Sequence, residues 1–167
     1  PCCHAIPESS TSHLFLCPDP AVNALRQSGF KAVLTWMEEV DTSPDLLSLI
    51  KALWFGRTPS LDADDFSLEL QTMWTVMSEM GTETMWLGFL PVGMVSFQQD
   101  YYTSVGLKKS GVRWASQLVG RILRVTHSLW MHRNSMVHLS TQEGLNGMDL
   151  VTLHSTIREE FNRGTEL

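Results

Sequence analysis

The chain has 167 residues and a formal net charge of −6, and 43% of its residues are hydrophobic. This composition suits one globular domain, or a small cap followed by one domain. No run of about 18 apolar residues occurs, so no membrane-spanning helix and no membrane partner are expected. All three cysteines lie within the first 17 residues. This favours a metal site or reduced thiols, and hence an intracellular protein, over a disulfide framework.

The first 18 residues carry a pattern typical of part of a zinc knuckle. Cys3, His13 and Cys17 follow the spacing Cys-x9-His-x3-Cys. Tetrahedral zinc sites use thiolate and imidazole ligands, commonly arranged as two close pairs, and here the second pair is present in full. The chain begins with proline rather than methionine. We therefore interpret it as a piece of a longer protein, with the missing ligand just before Pro1 and a zinc site that is incomplete in this fragment.

Helix signals follow along the next 60 residues of the chain. Proline after a capping Asp or Ser predicts two helices, which begin at Pro20 and Pro44, and Gly56 ends the second. Periodic apolar residues predict a third helix from near Asp64 to Met80. No long alternation of apolar and polar residues predicts a strand.

Shorter elements are predicted between residues 86 and 102. An apolar turn of helix is expected around Trp86–Leu90. Pro91 and Gly93 then interrupt it, because proline lacks the N–H that an interior helical hydrogen bond requires. Helix is expected to resume near Met94 and to continue to Tyr102.

The longest predicted helix runs from Ser110 to about Leu139. Its apolar residues recur at spacings of three and four across almost four heptads, which is typical of a helix in a bundle core. A last helix is expected at about Asp149–Asn162. The apolar seam of the long helix consists of Ala115, Leu118, Ile122, Val125, Leu129, His132, Met136 and Leu139.

Basic residues are concentrated at the start of this long helix. Residues 1–100 contain four basic and thirteen acidic side chains, whereas residues 101–142 contain six basic side chains and no acid. Such a stripe could attract nucleic acid, or it could pair with acidic segments of the same fold. The acidic net charge, which repels phosphate, favours the second interpretation. The candidate nucleic-acid-binding residues are Lys108, Lys109, Arg113, Arg121 and Arg124.

No sequence motif indicates an enzyme. The Asp62–Asp65 run resembles a magnesium-binding polymerase triplet, but no strand precedes it, and a solvated loop before a helix is the better interpretation. Trp130, Arg133, Asn134 and His138 share a helix end without a nearby acid or nucleophile. No nucleophile elbow, phosphate-binding loop or zinc-protease motif occurs. We therefore expect no catalytic residues.

The chain resembles the C-terminal region of non-LTR retrotransposon reverse transcriptases. The run Cys3, Glu8-Ser9, His13-Leu14-Phe15, Cys17-Pro18 is similar to the zinc-binding segment that follows their polymerase domain. The runs at 86–90, 99–102, 110–115 and 130–134 look like the helical region of retroelement-like proteins. The first knuckle cysteine and all polymerase motifs are absent from this chain.

This resemblance implies zinc ligands at Cys3, His13 and Cys17 and a parent protein that binds its own RNA or its target DNA. Together with the helix signals, it predicts an all-α bundle of five to seven helices around the long helix at about 110–139. A knuckle segment at 1–18 would precede a helical domain at 19–164. The expected function is a non-catalytic accessory domain that contacts nucleic acid. The alternative is a helical protein-interaction or self-association module.

Overall fold

The computed structural model describes residues 15–55, 67–81 and 83–144, together with 155 and 158. These residues form six helices and no strand, which confirms the predicted all-α bundle with its long helix. None of the described helices is both long and apolar enough to cross a membrane. The helices are α1 Pro20–Glu39, α2 Pro44–Phe55, α3 Leu68–Met80, α4 Glu83–Trp86, α5 Val92–Ser104 and α6 Gly111–Gly144.

The chain divides into two compact units. Residues 20–129 form one unit, and residues 1–19 with 130–167 form the other. Helix α6 contributes residues to both. The candidate site described below lies entirely within the first unit. The predicted domain boundary between residues 18 and 19 stays a prediction.

The first two helices and the long helix begin where the sequence signals place them. Pro20 and Pro44 each occupy a first helical position, where the missing N–H forfeits no hydrogen bond. Helix α6 begins one residue after Ser110 and extends to Gly144, beyond the predicted end at Leu139. Of the predicted last helix, Ser155 and Arg158 are helical, and its other residues lie outside those described.

The three middle elements differ from the predictions at their ends. Helix α3 begins only at Leu68, because Ser67 is its N-cap and accepts a hydrogen bond from the Leu70 N–H at 3.4 Å. Asp64, the predicted start, lies outside the described residues. Helix α5 begins two residues earlier than predicted, and Gly93 lies inside it rather than breaking it.

The helical turn predicted at 86–90 is wrong. Helix α4 ends at Trp86, and the next residues form a Schellman motif, in which Phe89 N–H bonds Thr84 C=O and Gly88 N–H bonds Met85 C=O. Gly88 has φ +86°, a left-handed conformation that glycine adopts without strain. The apolar residues after Trp86 therefore follow a helix end rather than forming a helix.

Aromatic side chains from three helices stack in the core of the 20–129 unit. Phe30 of α1 stacks against both Trp54 of α2 and Trp86 of α4, with ring centroids 5.0 and 4.2 Å away. The two tryptophan rings are 5.3 Å apart. Such pairs contribute about 0.5–1.5 kcal/mol each beyond the area that they bury. The stack therefore holds α1, α2 and α4 to one another.

The predicted apolar seam of α6 is buried in its first half. Leu118, Ile122 and Leu129 are fully buried, and Ala115 is nearly so. Close helix packing accompanies this burial. A Cβ on Gly29 of α1 would lie 2.6 Å from the Val125 Cγ1, so α1 passes α6 at a distance that only glycine permits. Beyond Leu129 the seam is less buried, since Met136 is 42% exposed.

We predict that Gly111→Ala destabilises the protein by about 1–3 kcal/mol, because the new methyl group would clash with the backbone carbonyl oxygen of Val95 in α5. Gly120→Ala on the same helix is the matched control. A Cβ there meets no atom within 4 Å, and the substitution should stabilise α6 by up to about 1 kcal/mol. Urea denaturation measures both. Equal unfolding free energies for the two variants would contradict the tight α5–α6 contact.

Candidate functional site

The candidate site is built on the tight turn that joins α1 and α2, residues 40–43. This turn is a Schellman motif, because Thr42 N–H bonds Met37 C=O at 2.9 Å and Asp41 N–H bonds Glu38 C=O at 3.2 Å. Asp41 takes the left-handed position, with φ +56°. The corresponding positions after α4 and α5 are occupied by Gly88 and Gly106. An aspartate therefore occupies a position where glycine would be less strained.

A fully buried glutamine of α5 binds both sides of this turn. The Gln98 Oε1 accepts a hydrogen bond from the Ser43 N–H at 2.9 Å, and its Nε2 donates to the Asp41 carbonyl oxygen at 3.2 Å. Gln98 is 0% exposed. Because a buried amide without partners costs about 1–3 kcal/mol, this position selects a side chain that both accepts and donates.

Two buried aromatic residues complete what we call the polar clamp, which consists of Gln98, Tyr102 and Trp114. The Tyr102 hydroxyl donates to the Val40 carbonyl oxygen at 2.8 Å. The Trp114 Nε1–H donates to the Thr42 Oγ1 at 2.9 Å. Burial raises the pKa of Tyr102, so its phenol keeps the proton that it donates. The clamp thus ties α5 and α6 to the turn between α1 and α2.

Lys109, in the loop between α5 and α6, also binds the turn, but from its exposed side. Its Nζ lies 2.5 Å from an Asp41 carboxylate oxygen and 3.2 Å from the Val40 carbonyl oxygen. The ammonium also lies 5.9 Å from the centre of the Tyr102 ring. Because both charged side chains are exposed, the ion pair contributes little to stability, about 0–1 kcal/mol.

The start of α6 is fixed by side-chain hydrogen bonds. The Gln99 Oε1 accepts from the Gly111 N–H at 2.9 Å, and its Nε2 donates to the Lys109 carbonyl oxygen at 3.4 Å. The Ser110 Oγ accepts from the Arg113 N–H at 3.3 Å. This arrangement places the side chains of Lys108, Lys109 and Arg113 around one end of the helix.

These side chains line a cavity of about 380 Å³. Tyr102 and Trp114, which are 1% and 2% exposed, contribute its apolar part. Its described lining contains no carboxylate, imidazole or thiol. The cavity can therefore hold an anion by charge and hydrogen bonding. The lining residues are Val40, Tyr102, Lys108, Lys109, Ser110, Arg113, Trp114 and Gln117.

The structure brings together three of the five predicted nucleic-acid-binding residues. Lys108, Lys109 and Arg113 meet at the cavity. Arg121 lies apart from it, with its guanidinium 4.6 Å from the centre of the buried Trp36 ring, a cation–π contact. Arg124 is exposed and follows Arg113 by three helical turns, about 16 Å, on the same side of α6.

One of the five candidate residues pairs with an acidic residue of the same fold, as the second interpretation of the basic stripe predicts. Within the described part of the chain, Lys109 pairs with Asp41, and Lys51 pairs with Glu38. Lys108 and Arg113 are exposed and have no carboxylate partner among the described residues. Sequence reasoning did not single out Asp41 or Gln98, because no local pattern marks a side chain whose partners lie on distant helices.

The predicted zinc ligands are described only at Cys17, which is buried. Cys3 and His13 lie outside the described residues. Among the side chains that the structure does describe, no group of three His, Cys, Asp or Glu residues is placed to hold a metal ion. Zinc binding by Cys3, His13 and Cys17 stays a prediction.

Comparison with known proteins identifies no family for this chain. The sequence matches no protein-family model and no curated protein, and the fold matches no solved structure.

We predict that Gln98→Leu lowers the unfolding free energy by about 2–4 kcal/mol, because the Ser43 N–H and the Asp41 carbonyl oxygen lose their buried partner. The exposed Gln117→Leu is the matched control and should change stability by no more than about 0.5 kcal/mol. Urea denaturation at constant slope measures the difference. Indistinguishable midpoints would show that the clamp does not stabilise the turn.

Proposed function

We propose that this chain is a non-catalytic accessory domain of a retroelement reverse transcriptase-like protein. It contacts the phosphate backbone of single-stranded RNA or DNA through the cavity at the start of α6 and through the basic residues beside it. The observation that carries this proposal is the cavity itself. It is lined by Lys108, Lys109 and Arg113 with no carboxylate in its described lining, although the whole chain is acidic.

The chemistry of the cavity suits a phosphodiester group. The Arg113 guanidinium can donate two parallel hydrogen bonds to phosphate oxygens, and the Lys108 ammonium adds a mobile point charge. Arg124, about 16 Å along the same side of α6, can contact the backbone further along the strand. Several such contacts along one strand account for both affinity and a strong dependence on salt.

The aromatic residues of the cavity do not serve as a base-stacking platform. Tyr102 and Trp114 are buried, and their polar atoms bind Val40 and Thr42. Base stacking on exposed rings is the usual way for single-strand binders to gain affinity from the bases. Contact at this cavity therefore depends on the phosphate backbone and is independent of sequence. Zinc held by Cys3, His13 and Cys17, as the resemblance implies, would order a second contact segment.

Fluorescence anisotropy tests the proposal with labelled oligothymidylate and oligouridylate from about 50 to 200 mM salt. The double variant Lys108→Gln/Arg113→Gln should bind roughly tenfold or more weakly at low salt. The slope of the logarithm of its binding constant against the logarithm of the salt concentration should also become shallower by about 0.7 for each phosphate contact that is lost. Lys31 is an exposed cation of α1, far in sequence from the cavity. Lys31→Gln should leave the affinity and the salt dependence nearly unchanged.

The proposal is wrong if the parent chain does not bind either oligonucleotide at the lowest salt. It is also wrong if Lys31→Gln weakens binding per charge as much as the double variant does. That second result would mean that net charge alone, rather than the cavity, attracts the strand.

A protein-interaction or self-association module is the second candidate. It is favoured by the exposed apolar side chains of α6 after Leu129, since Trp130, Met131 and Met136 are 42–50% exposed. Sedimentation velocity over a wide concentration range tests it. Self-association that Met131→Gln/Met136→Gln weakens would support this candidate. A strict monomer at high concentration would exclude self-association through these side chains.

A further inference from the structure

We infer that Asp41 is an internal competitor of the phosphate group: its carboxylate pairs with Lys109 at the cavity and so reduces the contact of this cation with a bound strand. This inference rests on the proposed function and deepens it. Of the three cations that line the cavity, Lys109 is paired with Asp41. Lys108 and Arg113 have no carboxylate partner among the described residues.

The turn after α1 differs from the turns after α4 and α5 in carrying a side chain at its left-handed position. The three Schellman motifs that follow α1, α4 and α5 each require a left-handed residue. Glycine occupies this position after α4 and α5, whereas the turn after α1 has Asp41 at φ +56°. A residue with a Cβ is strained there by roughly 1 kcal/mol relative to glycine, although Asp and Asn tolerate it best. The carboxylate is the feature that glycine lacks.

That carboxylate binds Lys109, one of the cations that line the cavity. The Lys109 ammonium donates to the Asp41 carboxylate at 2.5 Å and to the Val40 carbonyl oxygen at 3.2 Å. A carboxylate in direct contact cancels most of the attraction that the ammonium exerts on a phosphate. Lys108 and Arg113 have no carboxylate partner among the described residues, so their attraction for phosphate is not reduced in this way.

The exposed position of the pair makes the competition reversible. The side chains of Lys109 and Asp41 are 39% and 52% exposed, so water and salt already weaken their attraction. The Lys109 ammonium can therefore leave Asp41 for a phosphate oxygen without leaving a buried charge behind. The backbone of the turn would stay in place, because Gln98, Tyr102 and Trp114 hold it independently.

The test is the substitution Asp41→Asn, assayed by anisotropy with labelled oligothymidylate on the full chain. Asparagine tolerates the left-handed position, so the turn is kept while the carboxylate is removed. Glu39→Gln is the matched control. It removes the same charge from an exposed residue two positions away that makes no ion pair with Lys109.

We expect Asp41→Asn to bind roughly fivefold more tightly at about 50 mM salt, with a salt dependence about 0.7 steeper because a further cation contacts phosphate. Glu39→Gln should change affinity by less than about twofold and leave the salt dependence unaltered. The double variant Asp41→Asn/Lys109→Gln should return both quantities to the values of the parent chain.

The inference is overturned if Asp41→Asn binds no more tightly than Glu39→Gln, or if the tighter binding persists in the double variant. Both outcomes leave the proposed function intact, because the parent chain still binds. If neither the parent chain nor Asp41→Asn binds the oligonucleotide, the proposed function fails and the inference fails with it.

Discussion

The structure of the 20–129 unit depends on satisfying the polar groups of one partly buried turn. Residues 40–43 join α1 and α2, and Thr42 and Ser43 are buried there. Buried N–H and C=O groups without partners would destabilise the fold, since water does not satisfy them there. Gln98 and Tyr102 of α5 supply partners for backbone groups of the turn, and Trp114 of α6 donates to the Thr42 hydroxyl oxygen.

The hydrogen bonds to this turn also determine where the candidate site lies. Tyr102 and Trp114 fix the ends of α5 and α6 against the turn, and the loop between these helices is drawn to the protein surface beside it. Lys108, Lys109 and Arg113 are carried on that loop and on the first turn of α6, so their convergence follows from the clamp. Gly111 contributes by letting the start of α6 lie directly against the α5 backbone. The residues that hold the turn are therefore distinct from the cations that line the cavity, although Tyr102 and Trp114 also form part of its wall.

Charge is distributed in the molecule in a way that net charge alone does not reveal. The chain is acidic as a whole, which disfavours general attraction of phosphate. A phosphate contact in such a protein requires a small region with an excess of cations. The cavity is such a region, since its described lining has cations and no carboxylate. Asp41 adds an internal carboxylate that binds one of the cations directly.

Local sequence signals determined most of the helices. Proline after a capping residue predicted the starts of α1 and α2, and the apolar periodicity predicted α6, because helix starts and buried faces depend on residues within a few turns. The turn predicted at 86–90 was wrong because an apolar pattern does not report a Schellman motif. The charge pattern identified Lys108, Lys109 and Arg113 but did not show which of them would be paired.

Only the tertiary structure decided the clamp and the state of Lys109. The Ser43–Gln98 hydrogen bond joins residues 55 positions apart, and the Lys109–Asp41 pair joins residues 68 positions apart. A buried glutamine, an aspartate in a glycine position and a loop lysine each look unremarkable in the sequence. Their roles arise because helix packing brings them together, and contact between distant segments is not encoded in any short stretch of the chain.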